Sequence, residues 1–187
     1  MSFLTESGRP KQAAVTPPPT SVRPARAADA HALAALSIQV WLATYTEGVS
    51  DLFARYVLSE FTPEKFLALL DAPDVSLHVA EADERLVGYA LVRSGVPQAW
   101  VPEADSELCT LYVQEPFTRH GVGSALLRAA RAGNDGLWLM VNVQNLRACR
   151  FYEKHGFVVR GSTDFVLGEG RHRNHVLAMP PAASIGA

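Results

Sequence analysis

A strand, a turn and a helix follow one another within residues 108–130, and this unit constrains the fold more than any other stretch. Residues Cys109 to Val113 are apolar and rich in strand formers. Pro116 ends the strand because it has no N–H to donate to a neighbouring strand. Helical spacing then links five apolar residues: Val122, Ala125, Leu126, Ala129 and Ala130. The helix is therefore expected to begin between Arg119 and Ser124.

The turn before this helix predicts an anion site. Gly121 and Gly123 stand where the first backbone N–H groups of the helix have no intrahelical partner. Glycine lets an anion approach the main chain, and the helix dipole and Arg119 favour negative charge there. A phosphate or diphosphate cradle is one interpretation; a tight turn feeding a packed helix is the other. Leu126 replaces the third glycine of a dinucleotide fingerprint, and no Gly-Lys-Ser/Thr follows as in a P-loop.

Composition narrows the class of protein. The chain has 187 residues, enough for one domain with a full core. With 19% charged residues and a net charge of −2, nothing favours nucleic-acid binding. No apolar run is long enough to span a bilayer, and the N-terminus lacks the apolar core of a secretion signal. We expect a cytoplasmic protein whose Cys109 and Cys149 are small buried hydrophobes in a reducing compartment.

The pattern of the rest of the sequence predicts an ordered domain over residues 22–180. A disordered tail at 1–21 precedes it and a short tail at 181–187 follows it. Asp29 is a plausible N-cap for the first helix, and Thr62 caps a later one. Strands are expected at Val22–Ala27, Ser76–Ala82, Leu86–Arg93, Cys109–Val113, Leu137–Val143, Phe157–Arg160 and Val176–Met179. Helices are expected from Asp29 towards Tyr45, at Leu52–Leu58, after Thr62, from the central turn, and between Asn145 and Gly156.

Two side-chain groups are candidates for contact with a second substrate. Trp41 and Tyr45 are four residues apart and share a helix face, as core residues or as one wall of a pocket. Glu103, Asp105 and Glu107 precede the central strand, either as solvated surface or as a group that attracts a cationic amine.

No metal site is predicted. His172 and His175 are near each other in sequence, but no cysteine or carboxylate completes a ligand set at useful spacing.

Two sequence motifs, one after the other along the chain, resemble those of the GCN5-related N-acetyltransferases, or GNAT family. The first is Leu111-Tyr112-Val113 followed by the turn from Arg119 to Leu127; the second runs from Asn145 to Phe157 and matches Asn-x-x-Ala-x-x-Phe-Tyr-x-x-x-Gly-Phe. The resemblance implies a single α/β (α+β) domain whose mixed, mostly antiparallel sheet of about seven strands is flanked by about four helices. Thr118 departs from the usual Gln or Arg at the opening of the loop, which removes a side chain but leaves the backbone N–H groups.

The resemblance also implies acetyl-CoA as co-substrate, without a metal. Its pantetheine arm would lie along Leu111, Tyr112 and Val113, where a backbone N–H meets the thioester oxygen. Asn145 would hold the cofactor arm, and Tyr152 would protonate the departing thiolate. The diphosphate would meet the turn residues Arg119, His120, Gly121, Val122, Gly123 and Ser124. The alternatives are that Asn145 is only a helix cap and Tyr152 only a core aromatic.

Acyl transfer to an amine also needs a base, since an alkylammonium of pKa about 10 is no nucleophile. Glu107 is our candidate, directly or through water, because it enters the central strand close to where the amine should arrive. The alternative is a surface charge.

The expected function is therefore transfer of an acetyl group from acetyl-CoA to a primary amine of a small molecule or a peptide. Finer likeness points to PaiA-type polyamine acetyltransferases, and many of the same residues occur in enzymes that acetylate the N-terminal alanine of ribosomal proteins. A non-catalytic acyl-CoA sensor and a nucleotide-binding protein of another fold are the competing hypotheses. A homodimer is common for this fold.

Overall fold

The computed structural model describes residues 18–44, 49–134, 136–167 and 170–179. Within them lie seven strands: β1 Thr20–Pro24, β2 Val75–Ala82, β3 Arg85–Arg93, β4 Ser106–Val113, β5 Leu137–Asn142, β6 Val158–Leu167 and β7 Gly170–Met179. The same residues form five α-helices: α1 Ala30–Thr44, α2 Asp51–Glu60, α3 Pro63–Asp71, α4 Val122–Arg131 and α5 Leu146–Lys154. Tyr45, most of the predicted N-terminal tail and the predicted C-terminal tail lie outside the described residues.

The strands form one sheet in the order β1-β2-β3-β4-β5-β7-β6. Only the β4–β5 pair is parallel among the described strands, so the mixed, mostly antiparallel sheet is confirmed. One face packs against α4 and α5 through a core that includes Leu126, Leu139 and Tyr152. The other face packs against α1 and α3 through Leu33, Phe66 and neighbouring side chains. The central strand, β4, contributes side chains to the cores on both faces.

Local signals placed the helices and the first hairpin well. The Thr62 hydroxyl accepts the Lys65 N–H at 3.3 Å and caps α3, as expected. Asp83 and Glu84, with φ of 48° and 62°, form the two-residue turn between β2 and β3.

The last two strands are longer than expected. The apolar pattern predicted only Phe157–Arg160 and Val176–Met179, whereas β6 and β7 have 10 residues each. β6 lies at one edge of the sheet, and the first residues of β7, Gly170 to Arg173, pair with β6 but not in the register with β5. Polar side chains are admitted in both of these peripheral segments. Strand prediction from apolar residues therefore stopped too early here.

Asp29 does not act as a simple N-cap. It ends a 3-10 turn, Ala27–Asp29, that precedes α1, and its carboxylate accepts the backbone N–H of Arg26 at 2.7 Å. The same carboxylate pairs with Arg23 at 2.8 Å, and Arg23 also pairs with Glu81 on β2. The hydrogen bonds from Arg23 hold the pKa of Asp29 below its usual range. Asp29 thus anchors the start of α1 to β1 and β2.

Cys109 is exposed, not buried as expected, whereas Cys149 is buried; both are free thiols. The reason is a β-bulge: Leu91 pairs with Thr110 and Val92 with Leu108, so Cys109 has no residue opposite it on β3.

Gly88 allows β3 and β4 to pair closely, and we predict that Gly88→Ala destabilises the fold. An added Cβ would lie 2.7 Å from the backbone oxygen of Tyr112, which cannot move without shifting β4. We expect a loss of about 1–3 kcal/mol in the free energy of unfolding, measured by denaturant titration. Gly123→Ala is the control, because its added Cβ would meet nothing closer than the Phe151 ring at 3.4 Å, an ordinary contact distance. An equal or smaller loss for Gly88→Ala would contradict this packing.

Candidate active site

The central opening of the sheet arises because β4 and β5 pair over only two positions. Ser106 pairs with Leu137 and Glu107 with Trp138, although β4 continues to Val113. Beyond the bulge at Cys109 the two strands diverge, and β4 keeps only its partner β3. The divergence leaves a gap in the middle of the sheet, bordered by the second half of β4.

Backbone groups of β4 point into this gap. Gln114 donates its N–H to Val87 O on β3 at 2.9 Å, which fixes the alternation of hydrogen bonds along β4. The N–H and C=O groups of Val113 and Leu111 therefore point the other way, towards the edge that faces β5. The side chains of Leu111 and Val113 pack on the core beneath α4, and Tyr112 packs on the α1 side. The three residues predicted to bind pantetheine thus form one edge of the gap.

The entrance of α4 follows β4 after a 3-10 turn, Glu115–Phe117, and the short turn from Thr118 to Gly121. Gly121 is the N-cap in the left-handed region at φ 83°, and no side chain caps the helix. The first helical bond runs from Ala125 N–H to Gly121 O at 2.9 Å, so the N–H groups of Val122, Gly123 and Ser124 precede the intrahelical ladder. Arg119, at φ 66°, and His120 are exposed beside them. The turn presents a group of backbone donors and a cationic side chain.

Glycine is suited to positions 121 and 123 for different structural reasons. At Gly121 the positive φ favours glycine, and open space surrounds the position of an added Cβ. At Gly123 the Cβ position points to the Phe151 ring of α5, 3.4 Å away, which is an ordinary contact distance. The missing Cβ at Gly123 thus leaves room for α5, and the approach of an anion to its N–H stays a prediction.

Helix α5 carries two of the predicted residues on the same side of the sheet. The Asn145 Oδ1 accepts the Ala148 N–H at 3.1 Å, so Asn145 caps α5 as expected. Tyr152 is buried in the core shared with α4 and contacts the rings of Phe151 and Phe157. Burial, with smaller contributions from Tyr112 and Cys149, raises the pKa of Tyr152 above its ordinary value. The phenol is protonated at neutral pH with or without this shift, and burial makes it a weaker acid.

Glu107 occupies the last paired position before β4 and β5 diverge. It is half-buried, and this burial raises the pKa of its carboxyl, while Cys109 and Arg93 oppose the rise. The other two acids of the sequence cluster separate from it: Glu103 pairs with Arg160, and Asp105 is exposed and accepts the Ser106 hydroxyl at 3.2 Å. The structure thus distinguishes Glu107 from its acidic neighbours.

Trp41 lies on α1 among aromatic rings of the α2 region. Its ring centroid is 5.1 Å from that of Tyr56, 5.8 Å from Phe53 and 5.7 Å from Phe61. The indole Nε1 donates to the Tyr112 hydroxyl at 2.6 Å, which ties α1 to the central strand. Trp41 therefore both packs and borders the α1 side of β4. Its predicted companion, Tyr45, lies outside the described residues.

One contact between the motifs was not foreseen. The Ser124 hydroxyl on α4 lies 2.9 Å from His155 Nε2 at the end of α5. No spacing rule signals this partnership, because the two residues are 31 positions apart in the chain. An ion pair between Arg147 and Glu115 at 2.8 Å joins α5 to the same turn near the surface.

No metal centre is found in the described part of the chain, where no three His, Cys, Asp or Glu side chains converge. His172 and His175 are three positions apart on β7, so their side chains leave opposite faces of the sheet. None of the helices in the described ranges has the length and apolar character of a bilayer-spanning segment.

Solved structures with the same architecture define the class of fold. A PaiA N-acetyltransferase from Thermoplasma acidophilum, crystallised with coenzyme A, has a TM-score of 0.68 at 23% identity, over 87% of this chain and 99% of that one. The ribosomal-protein-S18-alanine N-acetyltransferase from Escherichia coli has a TM-score of 0.62 at 16% identity, over 90% and 99%. The fold is that of the N-acetyltransferases.

Sequence comparison gives the family. The profile of the Acetyltransferase (GNAT) family matches residues 40–157. An uncharacterised N-acetyltransferase of Mycobacterium bovis is 32% identical over 157 residues, which cover 80% of this chain and 96% of that protein. The chain belongs to the GNAT family and is an acyltransferase.

We predict that Glu107→Gln stabilises the fold at pH 7. Because its pKa is raised in the folded state, the folded protein binds more protons than the unfolded chain between the ordinary and raised values. Stability therefore falls as pH rises through that window, and removing the charge removes the loss. The melting temperature of the variant should exceed that of the wild type at pH 7, and the difference should shrink below the ordinary glutamate range. Exposed Glu153→Gln is the control; no gain at pH 7 for Glu107→Gln would contradict the burial cost.

Proposed function

We propose that the protein transfers the acetyl group of acetyl-CoA directly to a primary amine. The observation that carries this proposal is the gap between β4 and β5, which opens beside the uncapped entrance of α4. A linear ligand with amides along its length fits the edge of β4, and an anion fits the helix entrance. Coenzyme A has both parts, a pantetheine arm and a diphosphate.

The residues present suit this ligand. The outward N–H and C=O groups of Leu111 and Val113 would bind the pantetheine amides as a neighbouring strand would. The backbone donors from Arg119 to Ser124 would receive the diphosphate, and the Arg119 charge supports it. Asn145 uses its Oδ1 as a cap, which leaves the Nδ2 donor for the cofactor arm. Bound acetyl-CoA supplies an activated thioester.

Two side chains are proposed to move protons. Glu107 stands at the point where the strands diverge, and its raised pKa makes it a stronger base than an exposed glutamate. It would accept the proton of the attacking amine, directly or through water. Tyr152, whose phenol is protonated at neutral pH, would donate its phenolic proton to the departing thiolate. A backbone N–H of β4 would stabilise the developing oxyanion.

The acceptor is proposed to be a small polyamine-like molecule or the N-terminus of a peptide. The aromatic side chains around Trp41 border the α1 side of β4, and Glu107 adds negative charge, which together suit a cationic amine with an apolar body. The name of the S18-alanine enzyme agrees with the peptide acceptor, and the likeness of the motifs to PaiA-type polyamine acetyltransferases agrees with the small amine. A cytoplasmic location, the bounds of the domain at residues 22–180 and a homodimer stay predictions.

A direct assay tests the function. The purified protein is incubated with acetyl-CoA and a panel of polyamines, aminoglycosides and short peptides with N-terminal alanine, and free thiol is measured with time. Thiol release that depends on an amine, with mass spectrometry showing the acetylated product, supports the proposal. Tight binding of acetyl-CoA in calorimetry without amine-dependent release would instead indicate a non-catalytic acyl-CoA sensor.

Replacing Tyr152 by Phe should lower turnover by about 10²-fold, because the ring keeps its packing while the proton donor is lost. The dissociation constant for CoA, measured by calorimetry, should stay within about twofold of the wild type. Turnover at the wild-type rate would remove Tyr152 from the chemistry.

Glu107→Gln should lower turnover most at pH values where the free amine is scarce. In the wild type, the rate on the acid side should fall through the raised pKa of Glu107, above the ordinary glutamate range. The variant should lose this limb of the pH–rate profile. A profile identical in shape to that of the wild type would show that another group takes the proton.

A further inference from the structure

Helix α5 holds the first turn of α4 through two aromatic side chains. The Phe151 ring faces the Cβ position of Gly123 at 3.4 Å, and His155 Nε2 lies 2.9 Å from the Ser124 Oγ. The rings of Phe151 and His155 are themselves in contact, with centroids 4.3 Å apart. Phe151 and His155 thus contact Gly123 and Ser124, two of the three residues whose N–H groups lie free at the start of α4.

The hydrogen bonds of His155 have a defined direction. Nδ1 lies 2.7 Å from Phe151 O, and a carbonyl only accepts, so Nδ1 carries the hydrogen. In the neutral ring Nε2 is then an acceptor, and the Ser124 hydroxyl donates to it. Ser124 is thus linked through the imidazole to the backbone of α5. Both ring nitrogens are used, one for each helix.

We propose that His155 is a positioning residue for the diphosphate cradle, an inference that rests on the proposed function. The entrance of α4 has no side-chain cap of its own, so the backbone bond from Ala125 to Gly121 closes the first turn without help from a capping side chain. The bond from Ser124 to His155 supplies a side-chain restraint from α5, which also carries Asn145 and Tyr152. His155 thereby holds the backbone donors for the diphosphate in register with the residues proposed to bind and protonate the other end of the cofactor.

The direct test is CoA affinity, measured by calorimetry for Ser124→Ala and His155→Phe. Phenylalanine keeps a ring against Phe151 but has no nitrogen, and alanine removes only the hydroxyl. Each variant should bind CoA about five- to tenfold more weakly, the effect of one lost hydrogen bond. Ser124→Thr, which keeps the hydroxyl, should bind like the wild type. The double variant should be no weaker than either single one, since both lose the same bond.

A thioester without the diphosphate shows whether the loss of affinity depends on that group. S-acetylpantetheine lacks the diphosphate, so its KM should be unchanged in both variants, while the KM for acetyl-CoA rises and kcat stays constant. Equal losses on the two thioesters would show a general structural role and overturn the inference. Weak CoA binding in Ser124→Ala with normal binding in His155→Phe would also overturn it, because Ser124 would then meet the ligand without His155.

Failure of the inference is distinct from failure of the proposed function. Wild-type protein that binds CoA but acetylates no amine would refute the transfer reaction and leave the effect on affinity to be measured. Variants that bind CoA as the wild type does would refute the role of His155 even where transfer proceeds. Melting temperatures establish folding. Should His155→Phe fail to fold, His155→Leu, which also lacks the ring nitrogens, takes its place beside Ser124→Ala in the comparison of CoA affinities.

Discussion

The divergence of β4 from β5 is the constraint on which the rest of the structure depends. Two paired positions hold the strands together, and the bulge at Cys109 follows at once. Beyond it, N–H and C=O groups of β4 face a gap, and such groups need partners in any folded protein. A cofactor arm with amides of its own would complete the sheet at this place. The family assignment and the geometry of the gap therefore agree.

Burial raises the pKa of both proposed proton-transfer groups, with different consequences for a base and for an acid. Half-burial raises the pKa of the Glu107 carboxyl, which strengthens it as a base once it has ionised. The Tyr152 phenol is neutral at pH 7 even without burial, and burial raises its pKa and so makes it a weaker acid. Loss of hydration therefore favours the role proposed for Glu107, whereas the role proposed for Tyr152 depends on where its hydroxyl lies. Their positions near the divergence and on α5 separate the two roles in space.

Much of the fold could be predicted because its signals are local. The caps at Thr62 and Asn145, the turn at Asp83 and Glu84, and the start of α4 after Gly121 all depend on residues a few positions apart. The lengths of β6 and β7 were missed, since the edge strand β6 and the start of β7, which pairs with it, carry polar residues and show no apolar alternation. The exposure of Cys109 was missed because a bulge is a property of two strands together.

The site was predictable only to the level of its motifs. Gly121 is the N-cap of α4, within the stretch where the helix was expected to begin. Gly123 lies beside Phe151, a contact between helices that no spacing rule reveals. For the same reason the partnership of Ser124 with His155 and that of Arg23 with Asp29 and Glu81 emerge only in the folded chain. The acceptor side, bordered by Trp41, depends on how α1 and α2 pack and was accordingly the least defined.

The most direct measurement is a titration of isotope-labelled protein with CoA, followed by the amide resonances of the backbone. The largest shifts should fall on Val122, Gly123 and Ser124 at the entrance of α4 and on Leu111 and Val113 along β4. Saturable binding whose shifts cluster on another part of the sheet, and leave these five amides unmoved, would contradict the proposed cradle.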